Sequence, residues 1–380
     1  MSFLILIQGL IECDDMKNIL VIITTSFAPF GGLTTVMMNY YREINKTEFF
    51  IDFASKNEDV SGTLINELKL NGSQFYDLGD RRKNPAQYFG RLWRVFKIKK
   101  YDVVHINANS ATASAELAIA KMHGVPKRII HIHNSTGNYI RLHYLIRPIF
   151  CSLYTDAIAC SGKSGKWAFE NRKFIVLNNA IDTKKFAFNV DNRQKLRQKL
   201  RISDDCFVVG HSGKINQQKN HNFLIDIFDK YHKKDKNSIL LLAGDGELRD
   251  QIEDKVKAYH LENAVIFLGM IPDVYRYLSV MDCMVFPSLW EGLPLSLIEA
   301  QANGLKCVVS DKVTKEANVT KKEKYLSLDD GINVWVECMS DLKSYDRQKE
   351  SDDNTKLMIK NGYDSKRNVK TIEHIYAEKS

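Results

Sequence analysis

Two glutamates eight residues apart, Glu291 and Glu299, are the side chains of this sequence best placed to do chemistry. They lie in residues 284–300, Met-Val-Phe-Pro-Ser-Leu-Trp-Glu-Gly-Leu-Pro-Leu-Ser-Leu-Ile-Glu-Ala, where an apolar strand pattern runs into a Glu-Gly-Leu-Pro turn and then a helical pattern. Pro294 suits the first helical position, because its missing N–H would have no partner there in any case. Glu291 then falls just before the helix and Glu299 between its first and second turns. A helix N-terminus offers free N–H groups and partial positive charge, which suit a diphosphate, and carboxylates beside it accept hydrogen bonds from sugar hydroxyls. The stretch reads as a nucleotide-sugar site, with Glu291, Gly292, Leu293, Pro294, Leu295 and Glu299 around the donor.

Other segments carry compatible chemistry. His211-Ser212-Gly213-Lys214 closes an apolar strand pattern, and Lys219 follows five residues after Lys214. Two cations near one strand end can stabilise the charge that grows on a departing diphosphate. Gly244 and Gly246, with Glu247, fit a loop near the nucleotide, although Glu247 is equally suited to cap a helix opening at Leu248. Gly31-Gly32 opens a helical pattern over residues 33–44 and lets backbone N–H groups approach a phosphate or an acceptor. Its spacing is neither the Gly-x-Gly-x-x-Gly of dinucleotide binding nor a P-loop, which weighs against a dehydrogenase or an NTPase. His133 ends another apolar run, with Asn134 following it into a loop. A structural histidine packed in the core is the rival reading for both His131 and His133.

The elements that must hold these residues are continuous apolar runs separated by helical patterns: residues 19–23, 103–106, 128–133 and 157–159, then 207–210, 239–243, 265–268, 283–286 and 307–310. Such runs imply parallel sheets covered by helices on both faces. The expected class is α/β, with two doubly wound Rossmann-like domains facing a cleft and joined near residues 179–188. Ligands of such sheets bind at the carboxyl ends of the strands.

In order and spacing these motifs, together with His131-Ile132-His133-Asn134, Asn178-Asn179-Ala180-Ile181-Asp182 and Gln218-Lys219-Asn220, resemble the retaining glycosyltransferases of family 4. Glu291 and Glu299 match that family's E-x7-E element, and the branch most resembled builds bacterial capsular and exopolysaccharides. The resemblance covers nearly the whole chain and implies the GT-B fold. The domains expected are 1–185 plus 362–380 on the acceptor side and 186–361 for the nucleotide-sugar, the terminal helix crossing back to the first. It implies transfer of a sugar from a UDP-linked donor, with retention, to a lipid-linked saccharide. Glu291 would contact the donor sugar and stabilise charge at the anomeric carbon, Glu299 would hold the ribose, and His133 would approach the donor sugar. Lys214 stands where the family usually has arginine, which keeps the charge and loses the bidentate fork. Family precedent has no required metal or other cofactor, and the sequence has no Asp-x-Asp triplet. Paired carboxylates also serve glycoside hydrolases, which need no phosphate site. A non-hydrolysing sugar-nucleotide epimerase and a non-catalytic partner subunit of a polysaccharide assembly remain the rival readings.

With 380 residues and 44% hydrophobic content the chain has material for two cores. Its seven cysteines, at 13, 151, 160, 206, 283, 307 and 338, form no Cys-x-x-Cys pair or zinc cluster and suit a reducing, cytoplasmic compartment. Residues 2–11 are apolar, lack a preceding basic residue and are too short to span a bilayer, so for the first fifteen residues an upstream-start extension, in preference to a weak membrane-touching tail, is expected rather than a signal peptide. The net charge of +8 lies wholly in residues 1–185, which hold 24 Lys and Arg against 16 Asp and Glu. It is densest from Arg81 to Lys100, where Phe89, Leu92, Trp93 and Phe96 can share a helix face edged by Arg91, Arg94, Lys97, Lys99 and Lys100. Such a helix can lie on an anionic membrane, making the protein peripheral at the inner face of the cytoplasmic membrane, or can pack on its own sheet with a solvated basic rim. No nucleic-acid module accompanies the charge, and no nucleic-acid partner is expected.

Overall fold

The computed structural model describes residues 16–136, 139–343 and 345–378. The N-terminal extension expected before Met16 lies outside them. The chain divides into two units: the described residues as far as Asn179 together with those from Lys366 onward, and Ala180–Ser365.

Unit 1 holds a seven-stranded parallel sheet. Its strands are β1 (Lys17–Phe27), β2 (Phe49–Asn57), β3 (Phe75–Asp77), β4 (Val103–Ala108), β5 (Lys127–Ile132), β6 (Asp156–Ala159) and β7 (Ile175–Val176), in the order β3-β2-β1-β4-β5-β6-β7. Unit 2 holds six parallel strands, β8 (Phe207–Ser212), β9 (Ser238–Ala243), β10 (Val265–Gly269), β11 (Cys283–Phe286), β12 (Lys306–Ser310) and β13 (Lys324–Leu326), in the order β10-β9-β8-β11-β12-β13. Every residue of β4, β8 and β11 is buried, as strands covered by helices on both faces must be. Strand order reverses between β8 and β11, the position at which a doubly wound sheet opens a ligand crevice at its carboxyl edge.

The basic helix of unit 1 runs over Pro85–Ile98, with Asn84 accepting from Gln87 N at 3.0 Å and Pro85 at its start. Its buried stripe is Tyr88, Leu92, Val95 and Phe96, which join the core under β1, β4 and β5. The apolar face is thus rotated from the expected Phe89–Leu92–Trp93–Phe96 set: Trp93 is exposed and stands edge-on to His123, 4.2 Å between ring centroids. Packing on its own sheet is the arrangement found, and Arg91 and Lys99 pair with Asp77 and the buried Asp52. The terminal helix, Ser365–Ala377, packs in unit 1, where Tyr376 meets Phe49 and His105.

Candidate active site

The loops that follow β8, β9 and β11 bring most of the sequence-nominated residues of unit 2 to one sheet edge. After β8 the chain turns through Gly213 and Lys214 to the His221–Lys234 helix. After β11 it runs through Pro287–Pro294 into the Leu295–Ala302 helix, whose N-cap is Pro294. The proline therefore stands one position earlier than its sequence placement at the first helical residue. Its extended conformation, φ −69° and ψ 113°, lets it precede the helix rather than open it.

These two loops are tied together around Glu291. Leu289 N donates to Gln218 O at 2.8 Å, Asn220 Nδ2 to Pro287 O at 3.1 Å, and Gln218 Nε2 to Trp290 O at 2.9 Å. The Glu291 carboxylate then receives Lys219 Nζ at 2.5 Å and Ser288 Oγ at 3.3 Å on one oxygen, and Gln218 Nε2 at 3.2 Å on the other. Gln218 and Ser288 were not nominated from sequence as site residues. Gln218 stood in a recognised motif beside Lys219, whereas nothing about Ser288 signalled that it would face Glu291.

Glu299 is buried in the Leu295–Ala302 helix, and burial pushes its carboxyl up to about 7, against the opposing pull of Lys185 and Lys219. Lys185, from the Thr183–Phe186 turn, is a further cation that sequence reasoning missed. Lys214 and Glu247 form an exposed ion pair at 2.9 Å, which lowers the Glu247 pKa. Glu247 does not cap the following helix, Arg249–Ala258, whose N-cap Leu248 receives no side-chain bond.

The glycines divide by cause. A Cβ on Gly244, at φ +142°, would lie 1.9 Å from Gly213 O, and one on Gly246 would lie 2.3 Å from Ile215 O. Close passage of the two loops demands glycine at both positions. At Gly292 a Cβ would meet nothing within 4 Å, so protein packing leaves that space free. Gly244→Ala is expected to destabilise the fold by about 3 kcal/mol, from strain and overlap together. Gly292→Ala should leave the melting temperature unchanged. Equal melting temperatures for the two variants would refute the distinction.

Unit 1 carries the other nominated residues. Gly31 is the N-cap of the Gly32–Glu43 helix and makes no side-chain cap, so that helix start is bare. His133 follows β5, with ring nitrogens 2.9 Å from Asn179 Oδ1 and 2.9 Å from Asn107 Oδ1. A neutral imidazole donates from one nitrogen only, so one amide must turn its NH2 to the ring. Burial lowers the His133 pKa to about 4, and its ring lies 4.0 Å from that of His131. His131 is fully buried and reaches His105 at 3.3 Å, which in turn meets Tyr376 Oη at 2.7 Å. Asn134 is exposed. No described helix is long and apolar enough to cross a membrane.

Comparison with known proteins agrees with the class that fold and site define. The family model described as glycosyl transferases group 1 matches residues 192–368. The Bacillus subtilis protein named "Putative glycosyltransferase EpsF" is 31% identical over 363 residues, covering 91% of this chain and 93% of EpsF. An Escherichia coli UDP-Gal:alpha-D-GlcNAc-diphosphoundecaprenol alpha-1,3-galactosyltransferase is 27% identical, covering 76% and 78%. The crystal structure of Anabaena Alr3699/HepE in complex with UDP-glucose superimposes with a TM-score of 0.70, at 16% identity, over 94% of this chain and 98% of that one. The chain belongs to the group 1 family of glycosyltransferases and has the GT-B type of fold, two parallel-sheet α/β domains. It is an enzyme of glycosyl transfer, and the epimerase and partner-subunit readings give way to that family membership.

Proposed function

We propose that this glycosyltransferase moves a hexose from a UDP-sugar, with retention of anomeric configuration, to a lipid-diphosphate-linked saccharide during assembly of a capsular polysaccharide or exopolysaccharide. It would work at the inner face of the cytoplasmic membrane. The observation that carries the reading is the Glu291–Lys219 pair, a carboxylate and an ammonium 2.5 Å apart between the loops after β8 and β11, beside the start of a helix. UDP is favoured by the Anabaena relative's complex with UDP-glucose, and a lipid-linked acceptor by the substrate named for the E. coli relative.

In the proposed reaction the bond from the anomeric carbon to the diphosphate breaks and its electron pair stays on the phosphate oxygen. Lys219, Lys214 and the N–H groups at the helix start take up that charge in place of a metal ion. An acceptor hydroxyl bonds to the same face of the carbon, and its proton passes to the departing phosphate oxygen. Glu291 stabilises the positive charge at the anomeric carbon, and Glu299 holds the ribose hydroxyls. His133, neutral at physiological pH, supplies hydrogen bonding rather than charge.

A thermal-shift panel of UDP, GDP and ADP tests the donor class, because a ligand bound only by the folded chain raises its melting temperature by mass action. UDP should give the largest shift, at 100 times its Kd equivalent to about 2.7 kcal/mol. That shift should be lost in Lys219→Ala. A folded wild type that responds to none of the three, or an unchanged shift in Lys219→Ala, would overturn the assignment.

A further inference from the structure

The Pro85–Ile98 helix spends its apolar face on the core, yet unit 1 has a second helix that does the opposite. Ile140–Leu153, connecting β5 to β6, packs through His143 and Phe150, with Ile146 and Leu153 partly buried beside them. His143 stacks on Trp167 at 4.1 Å and accepts from Ala111 N at 3.0 Å. Helical periodicity sends Arg141, Tyr144, Leu145, Pro148 and Ile149 to the other side. There Leu145 is 76% exposed, Ile149 60% and Tyr144 50%. Consecutive turns thus present large apolar groups to solvent, unlike the scattered single residues that any surface carries.

Charge indicates what covers them. Residues 140–153 contain Arg141 and Arg147 and no acid. The neighbouring Gly162–Phe169 helix adds exposed Lys163 and Lys166, and exposed Arg172 and Lys173 follow it. The nearby carboxylate of Glu170 is paired with Arg147 at 2.9 Å. An apolar stripe flanked by cations fits the boundary between acyl chains and anionic headgroups. A second copy of the same face, equally cationic, would be repelled.

We infer that the outward face of the Ile140–Leu153 helix docks this enzyme on an anionic lipid bilayer. Tyr144, Leu145 and Ile149 enter the interface, while Arg141, Lys163 and Lys166 meet lipid phosphates. The helix begins shortly after His133 at the carboxyl edge of its sheet, so docking there holds that edge near the bilayer. The inference rests on the proposed lipid-linked acceptor.

The test is co-sedimentation of the full chain with vesicles of phosphatidylcholine alone and with 30% phosphatidylglycerol. Wild type should pellet with the anionic vesicles. Leu145→Ser/Ile149→Ser should lower the partition coefficient about a hundredfold, and Arg141→Gln/Lys163→Gln about tenfold or more. Arg91→Gln/Arg94→Gln/Lys97→Gln, on the other helix, should bind within about threefold of wild type, because cations without an exposed apolar face give only part of the attraction. Each variant's UDP-induced melting shift reports folding and the donor site independently. Unchanged sedimentation of Leu145→Ser/Ile149→Ser, or a wild type that never pellets, overturns the inference. So does light scattering showing a wild-type dimer that this variant converts to a monomer, which would make the face an interface between copies. Loss of the UDP shift in wild type would instead count against the proposed donor chemistry.

Discussion

Replacing Glu291 with glutamine is expected to lower kcat by about 10²–10³-fold while leaving UDP affinity intact or tighter. Glutamine keeps the size of the side chain and can still meet Gln218 and Ser288, but it removes the charge. Without it, Lys219 loses the partner 2.5 Å away in a place where the lysine side chain is only 13% exposed. A poorly solvated ammonium without its counter-charge is costly, so the ligand-free variant should melt at a lower temperature. A bound diphosphate supplies the missing negative charge. The UDP-induced melting shift should therefore be larger in Glu291→Gln than in wild type, opposite to the behaviour of a residue that merely binds donor. Turnover suffers because a neutral amide cannot stabilise positive charge at the anomeric carbon. A kcat within threefold of wild type would remove Glu291 from the chemistry, and a smaller UDP shift would make it a donor-binding group.

The parts of this fold legible in the sequence were those in which local pattern and tertiary role coincide. Residues 19–23, 103–106, 207–210 and 283–286 are continuous apolar runs because β1, β4, β8 and β11 are central and covered on both faces. Strand β2 was missed because Asp52, Ser55 and Lys56 interrupt its pattern. The buried Asp52 is acceptable only because Lys99, Tyr101 and Gln74 N, all distant in sequence, converge on it at 2.8–2.9 Å. Strands β3, β7 and β13, of two or three residues, are too short to carry periodicity.

In the site, spacing puts Glu291 and Glu299 around a helix start, and Lys219 stands out by its distance from Lys214. The ion pair between Lys219 and Glu291 joins residues 72 positions apart in sequence, and only the adjacency of β8 and β11 creates it. The Gly-x-Gly at Gly244 and Gly246 fits a loop near the nucleotide by sequence, and the close passage of residues 213–215 is a separate reason for glycine at both positions. Composition identifies a glycine but not what its missing side chain makes room for. The basic run from Arg81 to Lys100 shows the same limit: charge density was visible, but which face its helix turned inward depended on the sheet beneath it.

Glu299 makes the second large prediction, and its sign follows from burial. Its carboxyl goes from an ordinary 4.5 to about 7 in the folded chain, chiefly by desolvation. The folded state therefore holds the proton more tightly than the unfolded one, and stability falls as pH rises from 4.5 to 7. Above pH 7 the full cost is about 3 kcal/mol. Glu299→Gln should accordingly melt close to wild type at pH 5 and above it at pH 8, with the gap opening between. Donor binding runs the other way, because ribose hydroxyls donate to a carboxylate better than to a carboxylic acid. UDP binding below pH 7 should therefore release a proton, and affinity should fall about tenfold for each pH unit further down. Calorimetry at pH 6.5 in two buffers of different ionisation enthalpy reads that proton directly. Titration of the UDP phosphates contributes to both proteins alike, so the difference between wild type and Glu299→Gln isolates the carboxyl. Equal proton release from the two would mean that Glu299 stays in one ionisation state throughout, and the ribose would need another partner. Release confined to wild type, with a raised donor KM and little change in kcat for Glu299→Gln, would divide the two glutamates cleanly: Glu299 for the nucleotide, Glu291 for the bond that breaks.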